Sequence, residues 1–370
     1  MDTSVVGGDQ EEVTMIVAIG TRKGLWFARA ESGQWQLDGP AFPMNEVSSL
    51  AWITTPNVGT RLLAGVTSPH WGPTVASSSD FGATWDEPEG GAIRFAPEDA
   101  ASLERVWQLQ ADPRGEDVVW AGCEPTSLWR STDGGAHFSL VRGLWDHPHR
   151  PQWFPGFGGA AVHTIVPREG ATTIVAMSTG GVYRSDDEGL SWQPTNSGIS
   201  AKFFPDPYPE FGQCVHKIAA DSDGEVLYAQ NHHGVYRSDD DGRLWTSIAD
   251  GLPSDFGFVV LAHPAQSGTA WVIPLVADGE RIPPEGRLRV WRTSDGGHTW
   301  LPSEDGLPDQ CWTVVLRDAA DVVVAPDHPD GTLVFGTRDG CVYLSDDGGR
   351  TFEQIAAHLP DVLCVRALVD

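Results

Sequence analysis

Three observations in the 370-residue sequence predict an all-β fold, a seven-bladed β-propeller of four-stranded antiparallel blades. A motif of the form S/T-x-D-x-G-x-x-W/F occurs six times, at Ser78–Trp85, Ser131–Phe138, Ser185–Trp192, Ser238–Trp245, Thr293–Trp300 and Ser345–Phe352. Its closing aromatics, together with Trp35 at the end of a decayed seventh copy, recur every 50 to 55 residues. A period near fifty built on short strands is the signature of a propeller or array. Alternating runs such as Gly181–Ser185 and Gly234–Ser238, both GVYRS, enter the motif, and the aromatic leaves it on the next strand of a hairpin.

Each part of the motif has a physical task. The Ser or Thr and the Asp bond turn N–H groups, and Gly supplies a position with positive φ. The aromatic packs between neighbouring sheets. Four strands fit one period; in the fourth repeat they read VHTIVP, TTIVAMS, GVYRSD and SWQPTN from the channel outward. The first repeat supplies only VTMIVAIGT, GLWFARA and QWQLDG, and its missing inner strand is expected from Val362–Asp370, which would close the ring. The expected organisation is a disordered tail over residues 1–11 and one propeller over 12–370.

These motifs resemble the Asp-box, or bacterial neuraminidase repeat, found in sialidases, xyloglucan-hydrolysing glycosidases, sortilin and a photosystem II assembly factor. The resemblance implies that the boxes are structural and lie away from the active face. True sialidases have six blades and an early Arg-Ile-Pro. Here the period implies seven blades, and the only Arg-Ile-Pro, Arg281–Pro283, falls late, inside an insertion. The resemblance therefore points away from sialidase activity itself.

Composition sets further bounds. The chain carries 42 Gly, 27 Pro and 16 Trp, which suits short strands and tight turns. Its net charge of −27 argues against nucleic acid or an anionic membrane as partner. The acidic start MDTSVVGGDQEEV lacks a basic start followed by an apolar run, so no signal peptide is expected there, and no apolar stretch of about 18 residues could span a membrane. Five scattered cysteines without a CxxC pair read as reduced thiols, so a cytoplasmic location is expected. The runs Asp221–Glu225 and Ser238–Gly242 lack the later bidentate Glu of a calcium loop. No Walker loop, GxSxG or HExxH occurs.

The face opposite the boxes is where a site is expected. Long aromatic loops, Arg142–Ala160 and Gln193–Gln213, rise there with the insertion Ala277–Arg287. Their Trp153 and Tyr208, with Trp107, are the expected ring contacts of a ligand. His163 (VHTI) and His216 (VHKI) share one position on adjacent inner strands, and His232 and His233 occupy a turn beside them. Such imidazoles suit proton transfer, or one divalent transition metal held by His163, His216, His232 and His233. They equally suit a buried, hydrogen-bonded cap on the channel. Arg22 and Arg338 fall in equivalent turns, GTRKG and GTRDG, with Arg366 on the closing strand, and guanidinium forks bind carboxylate or phosphate. Ordinary pairing with local acids such as Asp339 is the competing reading.

Three function classes follow. The first is a glycosidase-like enzyme acting on a carbohydrate-like or carboxylated small molecule. It needs two carboxyls, drawn from Glu124, Glu210 and Asp255, with His163 and His216 as alternative proton carriers. The second is a metal-dependent lyase or hydrolase built on the histidines, and the third a non-catalytic scaffold for a protein partner.

Overall fold

The computed structural model describes residues 15–31, 33–55, 59–115, 117–156 and 158–369. The expected tail over residues 1–11 and the loop residue Phe157 lie outside the described residues. Strands dominate; Arg142–Trp145 is the one α-helix among the described residues. No helix among them is long and apolar enough to cross a membrane. The five cysteines form no disulfide.

Four sheets have four antiparallel strands each, and their innermost strands are Arg105–Ala111, Val162–Pro167, Val215–Ala220 and Phe256–Ala262. An eight-stranded sheet consists of two antiparallel runs, one led by Val315–Ala325 and one by Val362–Val369. They are joined by a single parallel pairing of Asp318 with Cys364. Within the second run Val362–Val369 pairs antiparallel with Met15–Thr21, from Met15 opposite Val369 to Thr21 opposite Val362. The expected closing strand is therefore present.

The second repeat departs from expectation. Glu46–Thr55, Gly59–Ser68 and Gly72–Ser78 form a three-stranded sheet, with an isolated Ser77–Asp86 bridge where a fourth strand would lie. Pro88 offers no N–H to extend that bridge, and Gly90 and Gly91 turn the chain away at φ of 82° and 83°.

The innermost strands contact one another in sequence. Val362–Val369 meets Glu46–Thr55, which meets Arg105–Ala111, and so on through Val162–Pro167, Val215–Ala220 and Phe256–Ala262 to Val315–Ala325, which returns to Val362–Val369. Close approach is needed for this. A Cβ on Gly122 would lie 2.3 Å from the Val162 carbonyl of the next innermost strand. Apolar cores fill the spaces between sheets. One joins Trp120 and Leu128 of one sheet to Val162, Val175, Tyr183 and Trp192 of the next, all at most 1% exposed. Burial of such side chains is worth roughly 1.5–3 kcal/mol each.

The six motif turns share one hydrogen-bond scheme. In each, the Ser or Thr hydroxyl donates to the Asp two residues on and accepts from the Gly N–H four residues on. The Asp carboxylate also accepts a backbone N–H four residues further, all at 2.7–3.0 Å. The motif Gly has φ of 81–94° in every copy, a conformation that only Gly adopts without strain. Hydrogen bonds from Thr84 hold the Asp80 carboxyl down at about 2, and those from Thr299 do the same for Asp295. These aspartates are committed to their own turns.

Candidate functional site

Near its start, each innermost strand slips register against its partner. The slip falls between Val362 and Cys364, Val47 and Ser49, Val106 and Gln108, Val162 and Thr164, and Val215 and Lys217. It recurs between Gly257 and Val260, and between Val315 and Ala320. A bulge frees a residue from the ladder and re-aims its side chain. The freed residues include Ser48, Trp107, His216, Phe258, Arg317 and Leu363, and all six line two adjoining cavities at the channel mouth. The cavities measure about 300 and 310 Å³ and share Gly158, Phe258, Arg281 and Arg317. They open on the side of the strands opposite the motif turns.

Five arginines line the first cavity, Arg22, Arg105, Arg281, Arg317 and Arg338, against two carboxylates, Glu46 and Asp318. Glu46 is engaged by Arg105 at 2.9 Å and Arg22 at 3.2 Å. Asp361 is shared by Arg338 at 2.7 Å and Arg22 at 3.5 Å. Asp318 sits below, 3% exposed, bonded to Lys217 at 2.6 Å and Arg366 at 2.9 Å. Burial alone would raise the Asp318 pKa, but Arg366 and Lys217 outweigh it and hold the carboxyl below its usual range. Arg317 stands apart. No carboxylate among the described residues lies within ion-pair distance of it, and its Nε has no hydrogen-bond partner. Its guanidinium lies 5.0 Å from the Trp107 ring and 5.7 Å from that of Phe258. Burial pushes its pKa down to about 10.

The second cavity is lined by Cys214, His216, His232 and Asp278, with Phe203 at its edge. Donor atoms of Cys214, His216 and His232 all lie within 4.8 Å of one another. His216 Nδ1 lies 2.6 Å from the Gly257 carbonyl oxygen. Burial, with Arg317 nearby, holds His216 well below an ordinary histidine pKa. Asp278 is bonded to Arg281 at 2.5 Å and approaches His232 Nε2 at 3.9 Å.

The expected residues divide clearly. Arg22, Arg338, Trp107, His216 and His232 line the cavities. Arg366 does not join Arg22 and Arg338; its pairing with Asp318 turns it toward the opposite end of the channel, beside Lys217 and Asp321. His163 is buried next to Trp107, with neither ring nitrogen hydrogen-bonded, outside both cavities and outside the Cys214 cluster. His233 packs on Phe203 and also lies outside the cluster. Glu124 accepts the Trp107 indole N–H at 2.9 Å and so positions that ring, without lining either cavity. Glu210 is exposed, and Asp255 faces Lys202 at 3.8 Å; the three expected carboxyls are not brought together. Trp153 is buried, its N–H given to the Tyr183 hydroxyl at 3.1 Å, and it packs its loop onto the sheet beside His147 and His149. Tyr208 is 62% exposed and lines neither cavity.

Arg105, Arg281, Arg317 and Cys214 were not anticipated. Aligning the inner strands on the residue after their first Val, as His163 and His216 already suggest, brings out Ser48, Trp107 and Leu363. It does not bring out Arg317, because the slip in its strand is longer than one residue.

No known protein-family profile matches the chain. It is 23% identical over 324 residues to the "Probable oligoxyloglucan-reducing end-specific xyloglucanase" of Neosartorya fischeri, covering 76% of this chain and 36% of that protein. It is 28% identical over 267 residues to the xyloglucanase of Hypocrea jecorina, covering 64% of this chain and 30% of that one. The chain thus spans about a third of the length of these relatives. Among solved structures, YCF48 bound to a D1 peptide superposes with a TM-score of 0.53 at 15% identity, covering 84% of this chain and 82% of that one. That likeness is one of fold, and the protein is a β-propeller.

Proposed function

We propose that the chain is a single seven-bladed Asp-box propeller over residues 12–370. Its channel mouth, opposite the boxes, takes a carboxylated, carbohydrate-like small molecule, on which it acts as a glycosidase-like enzyme. The sequential contacts of the innermost strands and the shared turn scheme support the architecture. The weak likeness to xyloglucanases supports the carbohydrate class. One observation carries the charge of the ligand: in a chain of net charge −27, Arg317 sits at the junction of both cavities with no carboxylate among the described residues within ion-pair distance. A buried guanidinium in that position is costly unless an anion answers it. A carboxylate suits its fork, and the rings of Trp107 and Phe258 suit a sugar face.

Each carboxylate lining the cavities is held by a cation, so none is placed as an unencumbered general acid. His216, with Nδ1 at a carbonyl, presents Nε2 to the cavity.

The test is calorimetric titration with hexuronates and, in parallel, neutral xyloglucan oligosaccharides, on wild type and Arg317→Met. The uronates should bind, and the variant should weaken them by about 10- to 100-fold while folding normally. Equal binding of neutral sugars, or an unchanged affinity in the variant, would overturn the reading.

A second reading has its own observation. Trp71 is 91% exposed in the turn equivalent to that of Arg22, and Trp312 is 64% exposed before the inner strand Val315–Ala325. Bare rings on this face suit a protein partner. Trp71→Ser with Trp312→Ser would then abolish partner capture and spare uronate binding.

A further inference from the structure

We propose that Cys214, His216 and His232 form a binding site for one thiophilic divalent transition metal, zinc above all, at the floor of the second cavity. The local fold converges these three side chains. Cys214 directly precedes the inner strand Val215–Ala220, and His232 follows its neighbour Leu227–Asn231. The two positions are tied by the His232 N–H donating to the Cys214 carbonyl at 2.9 Å. His216 is the residue freed by the bulge between Val215 and Lys217, which aims its ring into the same space.

The donor set is complete in kind. A peptide oxygen can only accept, so the 2.6 Å contact of His216 Nδ1 with the Gly257 carbonyl fixes the proton on Nδ1 and leaves the Nε2 lone pair for a metal. That is the carbonyl–histidine–metal arrangement that orients imidazole ligands. Thiolate and two imidazoles suit zinc or copper and disfavour magnesium or calcium. The donors lie within 4.8 Å of one another. Metal–ligand bonds of about 2.0–2.3 Å require each to move inward by under about 1 Å, within the reach of small side-chain rotations. Asp278 stands beyond His232 at 3.9 Å as the carboxylate of the surround.

The charges facing the site agree with a fourth position open to an anion. A dication with the Cys214 thiolate leaves one positive charge, and Asp278 is already matched by Arg281. Arg317 faces the same cavity. Metal and guanidinium together would hold the two ends of one anionic ligand, which rests on the reading above; the metal site itself does not.

The full chain, purified without an affinity tag and titrated with cobalt(II) alone, tests the site without any carboxylated ligand. Stoichiometric binding is expected, with a sulfur-to-cobalt charge-transfer band. Cys214→Ser should remove the band and His232→Ala should abolish stoichiometric binding, while His163→Phe keeps both. In wild-type protein, zinc should also slow alkylation of Cys214, read by mass spectrometry, so the answer does not depend on a variant folding. No stoichiometric binding, a band that survives Cys214→Ser, or alkylation indifferent to zinc would overturn the proposal. None of these results would bear on uronate binding through Arg317.

Discussion

The two faces of this propeller treat polar groups in opposite ways. On the motif face, six turns repeat one scheme in which hydroxyl, carboxylate and N–H satisfy one another locally. At the channel mouth, polar side chains are gathered from all around the ring, and Arg317 Nε there, like both nitrogens of nearby buried His163, has no hydrogen-bond partner among the described residues. Regularity there would serve no purpose, since a site needs different groups at equivalent positions. The contrast shows where stability and function are separately stored. Between the two lies Asp318, bridging Lys217 and Arg366.

The largest effect should come from that boundary. Asp318→Ala takes the carboxylate away from buried Lys217 and partly buried Arg366, and loss of one partner from such a group costs about 3–5 kcal/mol. Urea unfolding should show that drop; a midpoint close to wild type would mean the two faces are less dependent on the Asp318 bridge than its geometry implies.

A smaller loss is expected on the motif face. Ser185 is 1% exposed, and Ser185→Ala leaves the Gly189 N–H without its acceptor and removes one of the donors to Asp187, which keeps those of Ser191. About 1–3 kcal/mol should be lost. Uronate affinity should stay constant, and a coupled change in binding would break the separation of the faces.

The smallest effect belongs to His163, and pH reveals it. Burial, with Arg317 nearby, holds its folded pKa well below the ordinary 6.5, so the unfolded chain takes up the proton first. Its contribution is complete above about pH 6.5 and declines as pH falls toward the folded value. The motif aspartates Asp80 and Asp295, held at about 2 against an ordinary 3.8, are lost in a lower window, as pH falls from about 4 to 2. His163→Phe should leave stability at pH 8 within about 1 kcal/mol of wild type and flatten only the upper limb of the profile. A variant that unfolds at pH 8 would show that His163 has a bonding partner after all.

The same division explains what could be read in the sequence. The motif face was legible because its chemistry is local: Ser185, Asp187 and Gly189 meet within one turn, so spacing alone reports them. The closing strand was legible because a first repeat one strand short has to be completed from elsewhere. Arg22 and Arg338 were found through equivalent turns. Arg281 lies in an insertion with no counterpart in the other repeats, and Arg317 in a strand whose slip displaces it from the repeat alignment. Trp153 has the residue type of a ligand contact, but the Tyr183 hydroxyl takes its N–H, a pairing between loop and sheet that no local pattern announces. The pairing of Arg366 likewise depends on which way the inner strands face across the channel.

The pairing of Met15–Thr21 with Val362–Val369 has a consequence for how the molecule comes into being. Most sheets here are made from consecutive segments and can assemble as the polypeptide emerges. The one that closes the circle cannot, because its two partners are the first and last of the described strands and lie far apart in sequence. Until they meet, the early strand Met15–Thr21 has an unpaired edge, and such edges invite the wrong neighbour. Closure over so long a separation is also the slowest kind of contact to form. Refolding should therefore end with this single seam, and chaperones would have most to protect in the interval before it is made.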